Sequence, residues 1–166
     1  MPFMKTITLT RGRYAMVDDD DFEWLCRWRW QAGKRKFKTH TLWYAVRVVG
    51  HRGPTKYMHR EIAIHAGLPD SPKYDHRDGN GLNNQRENLR PCTESQNSQN
   101  RRKSVGKTSK FKGVAWHIRK LRWIATLAHN GKRHYLGYFK TQQSAARAYD
   151  AVAREHFGEF AVLNFP

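Results

Sequence analysis

The sequence predicts an α+β protein built from small modules, and three observations carry the prediction. Residues with β-branched and aromatic side chains come in short runs such as ITLTRGRYAMV and WYAVRVV. Residues 111–140 hold three more short strand candidates, about 112–118, 122–128 and 133–139. Asn130-Gly131 lies between the last two and is the strongest short-range hairpin signal. The stretch TQQSAARAYDAVAREHFG that follows has helical periodicity. A chain of 166 residues has room for one ordinary domain or two to three very small ones. Composition shifts divide it into a β-rich segment at 1–50, a polar, turn-rich module at 51–104, a basic linker at 105–110 and a sheet-and-helix module at 111–166.

Bulk composition narrows the function classes. A hydrophobic fraction of 39% with six Trp supports packed cores and argues against a disordered chain. The net charge of +17 and the pI near 10.3 point to a polyanionic partner. The three segments 1–50, 51–110 and 111–166 carry +5, +6 and +6, so the charge is not a detachable tail. No apolar run approaches the roughly 20 residues of a membrane span. The opening MPFMKTITLT lacks the apolar core of a signal peptide. A cytoplasmic protein without membrane association is expected. Cys26 and Cys92 form no CxxC pair, so both are expected to be small buried residues, and any metal would have oxygen or imidazole ligands.

In the first segment DDDDFEWLCRW is a short helix candidate, with Asp18–Asp21 as acids that cap it and meet its positive dipole end. Trp24, Leu25 and Trp28 fall at helical spacing and are expected in the core. In the last segment Thr141 is the expected N-cap and Gly158 the terminator of the long helix. Ala145, Ala146, Tyr149, Val152, Ala153 and Phe157 form its apolar face. Residues 111–140 hold seven Lys/Arg and no acid, whereas 141–166 carry −1. A helix covering one sheet face would leave the other basic and open, a form that can enter a major groove.

KGVAWHIRK, RWIA, HNGKRHYLGYF, SAARAYDAVA and the closing NFP resemble the Apetala2/ethylene-response-factor DNA-binding domain across residues 111–166. The resemblance implies double-stranded DNA as partner, with Lys112, Ala115, His117, Thr126, Ala128, Arg133 and Tyr135 facing it. Trp116, Trp123, Ala125 and Leu127 would face the helix. Arg119 and Arg122, in the first turn, are expected to contact phosphates, which position the protein without specifying sequence. Ala115, Thr126 and Ala128 stand where plant members often keep charges, so the plant recognition sequence is not implied.

The middle segment is strand (KYDH), loop (RDGNGLNN), strand (ENLRPC) and helix, the helix opening on the capping box Thr93-Glu94-Ser95-Gln96. HREIAIHAGL before it is a helix candidate in which His59 and His65 are expected to be packing or surface residues. The order of elements and the spacing DH-x₁₁-N-x₈-N, with NGLNNQRENL between, resemble the ββα-metal or HNH homing endonucleases of phages and bacteria over about 48 residues. The resemblance implies His76 as general base, and Asp75 with Asn97 as ligands of one divalent ion, Mg²⁺ or Mn²⁺. Asn88 would tie the loop and orient His76. Arg77, Arg86, Arg90 and Arg101 are expected to surround the site and clamp the strand. Adjacent strand residues point to opposite faces, so Asp75 and His76 converge only where the backbone is irregular.

The chemistry suits those residue types. A neutral imidazole takes a proton from water near pH 7. A hard cation with few protein ligands keeps positions open for phosphate oxygens. The expected function is a metal-dependent DNA endonuclease that nicks one strand as a monomer, with no small-molecule substrate. The competing class is a non-catalytic DNA-binding regulator on the same scaffold.

Overall fold

The computed structural model describes residues 4–37, 41–99 and 108–166, and the chain is a mixed α+β structure with four small antiparallel sheets. It divides into two compact units, residues 1–93 and 94–166.

In the first unit β1 (Met4–Leu9) pairs with β2 (Arg13–Asp18), joined by a turn whose Arg11 and Gly12 both have positive φ, 64° and 62°. This turn geometry matches the twist of the two strands. Helix α1 (Asp19–Leu25) follows, and then β3 (Gln31–Lys36), β4 (Thr41–Val48) and β5 (Thr55–Tyr57) form a three-stranded sheet in that order. Strands β3 and β5 have weak local signals, since QAGKRK and TKY are poor in the residues that favour strands. Their ladder to β4 supplies what composition does not. Helix α2 (Met58–His65) buries Met58, His59, Ile62 and Ala63, one helical face. Strands β6 (Lys73–His76) and β7 (Leu89–Cys92) pair, with a 3₁₀ turn at Arg86–Asn88 between them. Ile7, Leu9, Val17, Leu25, Trp30 and Ala45 share one core with Met58, Ile62 and Leu89, so the first 50 residues and the 51–93 stretch are packed as one body.

Three expectations about this unit are corrected. Asp18 occupies the N-cap position but makes no cap bond; its carboxylate is spent on a distant loop. Trp28 lies beyond α1, is 38% exposed and carries the Arg47 guanidinium 4.3 Å from its ring centroid. Cys26, at the helix C-cap, is exposed, while Cys92 is buried.

The second unit opens with α3 (Glu94–Gln99) and continues with β8 (Val114–His117), β9 (Arg122–His129) and β10 (Lys132–Phe139), ordered β10-β9-β8. Asn130 and Gly131 have φ of 50° and 73°, as a tight hairpin turn requires. Helix α4 (Gln142–Phe157) is capped by Thr141, whose hydroxyl accepts the Ser144 amide. It lays Ala145, Ala146, Tyr149, Ala153 and Phe157 on Val114, Ala125 and Leu127. The buried Asp150 carboxylate accepts the Asn164 and Phe165 amides at 2.8 and 2.9 Å, and Asn164 in turn binds both backbone groups of Lys112. The NFP stretch is thereby a clasp between helix and sheet. Between Tyr135 and Gly137 the ladder slips by one residue, so Tyr138 pairs with Ile124 and Phe139 with Trp123.

Gly113 lies where β8 crosses α4, at φ 74°; a Cβ there would stand 2.0 Å from the Tyr149 ring. Gly113→Ala combines a left-handed backbone with overpacking. It is expected to cost about 2–4 kcal/mol, read as a lowered melting transition of this unit.

Candidate functional site

The candidate site grows from the β6–β7 hairpin. Asp75 pairs with Arg90 and His76 with Leu89, a regular register, so the two side chains leave opposite faces of the ladder. Asp75 stands with Arg90, whose Nη2 and Nε donate to Oδ2 at 2.9 and 3.3 Å. His76 faces Tyr44, ring centroids 6.0 Å apart, and His59, 5.0 Å and edge-on. The described backbone shows no irregularity that would turn these two side chains toward each other.

His76 closes β6 and the loop after it is built from amides. Asn88 donates to Asp78 Oδ1 at 3.1 Å and to the Asn83 carbonyl at 2.7 Å, while its own Oδ1 accepts the Asp78 amide. Asn80 accepts the Leu82 amide, and Asn83 donates to Asp78 Oδ2. Asn84 is fully buried and its side-chain amide donates to the Leu82 carbonyl at 3.1 Å. Gly81 sits where a Cβ would stand 2.4 Å from the Trp43 carbonyl oxygen, so the loop presses directly on β4. The loop is also clipped to β2: the Met16 amide donates to the Leu82 carbonyl and the Met16 carbonyl accepts the Asn84 amide, both at 2.8 Å.

Two acids at the start of the first helix, Asp18 at its N-cap position and Asp21 within it, brace the same loop. Asp18 accepts the Arg86 amide at 2.8 Å and the Gln85 side chain at 3.3 Å. Asp21 is fully buried and takes both Nε and Nη2 of Arg86 at 2.8 Å. A carboxylate shut away from water needs such a bidentate partner.

Burial pushes the His76 imidazole below its ordinary value, partly offset by Asn84, Asp78 and Asp75, so the ring is neutral at pH 7. Burial, with the neighbouring His76 and Arg60, pushes His59 down to about 3. His59 Nδ1 is buried without a hydrogen-bond partner among the described residues. Its place beside His76 was invisible in the sequence, because α2 and β6 meet only through tertiary packing. Cys92, on the Asp75 side of the ladder, has its thiol pushed up to about 11 by burial and is no thiolate at pH 7.

The expected strand clamps divide. Arg77 is exposed at the head of the loop. Arg90 is only 4% exposed and holds Asp75, so its assignment to DNA is corrected. Arg86 is likewise committed, to Asp21. Arg101 lies outside the described residues, as do linker positions 105–107. Asn97 lies in the first turn of α3, in the second unit. Among the described residues no cluster of three or more His, Cys, Asp or Glu forms a metal cage.

In the second unit the face away from α4 carries Ala115, His117, Arg122, Ile124, Thr126, Ala128, Arg133 and Tyr135, following the cross-strand pairs. Tyr135 is 70% exposed. The ladder slip adds Tyr138, whose ring meets His117 at 5.3 Å, a residue that simple alternation misses. Arg119 and Arg122 are exposed in and beside the first turn. Lys112 departs from expectation: it is half-buried, its ammonium donates to the Gln99 carbonyl at 2.6 Å, and desolvation lowers it to about 8. It lines a cleft of about 510 Å³ with Glu94, Ser98, Thr126 and Arg133. Trp116, expected against the helix, is 37% exposed because β8 is an edge strand; it meets Trp123 edge-on.

No protein-family model matches the chain. It is 32% identical over 157 residues, covering 93% of this chain and 76% of the relative, to a protein of Acanthamoeba polyphaga mimivirus named uncharacterized HNH endonuclease L560. It is 30% identical over 111 residues, 67% of this chain and 91% of the relative, to Protein 3.8 of Escherichia phage T7. Over 59 residues, 34% of this chain and 14% of the relative, it is 46% identical to the ethylene-responsive transcription factor WRI1 of Arabidopsis thaliana.

Two stability outcomes follow from the braces. Arg86→Ala strands a buried carboxylate and is expected to cost about 2–3 kcal/mol, the low end for a broken buried pair because the guanidinium is partly exposed. Urea unfolding of Arg86→Ala and of Arg86→Ala/Asp21→Asn measures it, with the double variant recovering part of the loss. His59 has a folded value near 3 against 6.5 when unfolded, so below pH 6.5 the unfolded chain binds the extra proton. Stability should therefore fall as pH drops from 6.5 toward 3, by up to about 1.4 kcal/mol per unit from this residue. His59→Phe should flatten the melting-temperature profile over that window.

Proposed function

Because the chain belongs to the family of HNH endonucleases, we propose that it hydrolyses phosphodiester bonds of duplex DNA, nicking one strand, with His76 as general base. The observation that carries this reading is the His76 imidazole: buried, set at the head of a loop fastened by Asn88, and held by burial below its ordinary value. A neutral imidazole accepts a proton from the attacking water once a water is admitted beside it. Asn88 orients rather than reacts, since every contact it makes is within the loop or to its strand.

The donor set fits a hard divalent ion. The oxygens of Asp75 and Asn97 suit Mg²⁺ or Mn²⁺, and the neighbouring Cys92 thiol, protonated at pH 7, does not draw the site toward softer metals. Asp75 would contribute an oxygen ligand to one ion, which when bound would supply a Lewis acid for phosphate and leaving-group oxygens. Arg90 fixes the Asp75 carboxylate in place. Arg77 faces the strand. The sheet face of Arg122, Arg133, His117, Thr126, Tyr135 and Tyr138 would hold the duplex, a reading supported by the likeness of this unit to plant proteins named as transcription factors. Two observations favour a second reading, a non-catalytic DNA-binding protein: the Asp75 carboxylate is already neutralised by Arg90, and it leaves the face of the ladder opposite His76.

A supercoiled-plasmid assay decides between them. Nicking is expected with Mg²⁺ or Mn²⁺ and none with EDTA. His76→Ala should lower the rate at least 100-fold while gel retardation of duplex DNA is unchanged. With His76 held below 6.5, the acid limb of the rate profile should lie on the acidic side of that value. Full activity of His76→Ala removes the imidazole from its role, and metal-dependent nicking that never appears leaves the binding reading.

A further inference from the structure

Trp43, on β4, is ringed by three cations. The Arg13 guanidinium lies 3.9 Å from the ring centroid, and Arg11 and the Lys34 ammonium each lie 5.7 Å away. They come from three places: the β1–β2 turn, the first residue of β2, and the β3 position paired directly with Trp43. A single cation is enough to cover the rim of an indole. Three bring like charges together, and none of them has a carboxylate partner among the described residues. Arg11 also takes a φ of 64°, the left-handed region that Gly or Asn usually fills. Cations gathered around one ring without a carboxylate among them offer a site for an anionic ligand outside the protein. Arg35 and Lys36 continue the exposed positive charge along β3.

We propose that the Arg11, Arg13, Lys34 and Trp43 cluster is a DNA-backbone site of the first unit, binding phosphates of the duplex in addition to the C-terminal sheet. Lone phosphate oxygens would satisfy the repulsion among the cations, and Trp43 holds the three side chains at a fixed spacing. The next residue on β4, Tyr44, meets the ring of His76 on β6 at 6.0 Å, so the strand that carries Trp43 also contacts the imidazole through its neighbouring residue. The inference rests on DNA being the substrate, and it is read without any cleavage.

The test uses the full chain in EDTA, measuring affinity for a duplex over a series of NaCl concentrations. The triple variant R11Q/R13Q/K34Q should lower the slope of log affinity against log salt by about two to three units, and the affinity at 0.1 M salt by about tenfold or more. R11K/R13K should keep the slope. An unchanged slope in the triple variant overturns the proposal. If that variant fails to fold, the unaltered protein still decides: Lys34 should be protected from an amine-reactive reagent by bound duplex, and equal labelling with and without DNA overturns the site. Loss of nicking with the salt slope intact would sink the nuclease reading alone, whereas a chain that binds no duplex at any salt defeats both.

Discussion

A carboxylate excluded from water must find its neutralising charge inside the protein, and Asp21 is in that position. Its partner, Arg86, comes from 65 residues away and belongs to the 3₁₀ turn that leads into β7. The same turn gives its backbone amide to Asp18. An acidic run that would cap a helix elsewhere is used here as an anchor for the loop that ends at His76. Desolvation drives the pairing, and the bidentate geometry gives it direction. The first hairpin, the first helix and the β6–β7 module are therefore interdependent, and the imidazole inherits its position from residues near the start of the chain.

The second unit uses the same device for a different end. Asp150, buried on α4, gathers the amides of Asn164 and Phe165, and Asn164 passes the connection to Lys112 at the entry to β8. Small alanines let α4 lie close on the sheet, and Gly113 removes the one side chain that would collide with Tyr149. With one face closed in this way, the other presents cations and tyrosines on a rigid frame. Each of the two units is built around an internal carboxylate.

Much of this was legible in the sequence wherever a local rule governs. Asn130-Gly131 forms its hairpin, Thr141 caps its helix, and KYDH and the strand after Asn88 pair as the alternating pattern implies. What was not legible depends on partners distant along the chain. Arg90 looked like a phosphate ligand because nothing in LRPC reveals that Asp75 stands opposite it. Lys112 looked exposed until the Gln99 carbonyl was placed beside it. His59 looked like a packing residue of α2, which it is, but the ring it packs on is His76. Strands β3 and β5 are held by β4 rather than by their own composition, so no local pattern marks them.

The one-residue slip at Leu136 has a consequence for comparing relatives. It rotates the rest of β10 by half a turn, bringing Tyr138 to the outer surface and sending Phe139 inward against Trp123. A homologue lacking that extra residue would expose the opposite letters even where its amino acids are the same. Which side chains such a protein presents on that face is thus written partly in chain length, and a residue-by-residue transfer of positions across a gap at this point would assign them to the wrong side of the sheet.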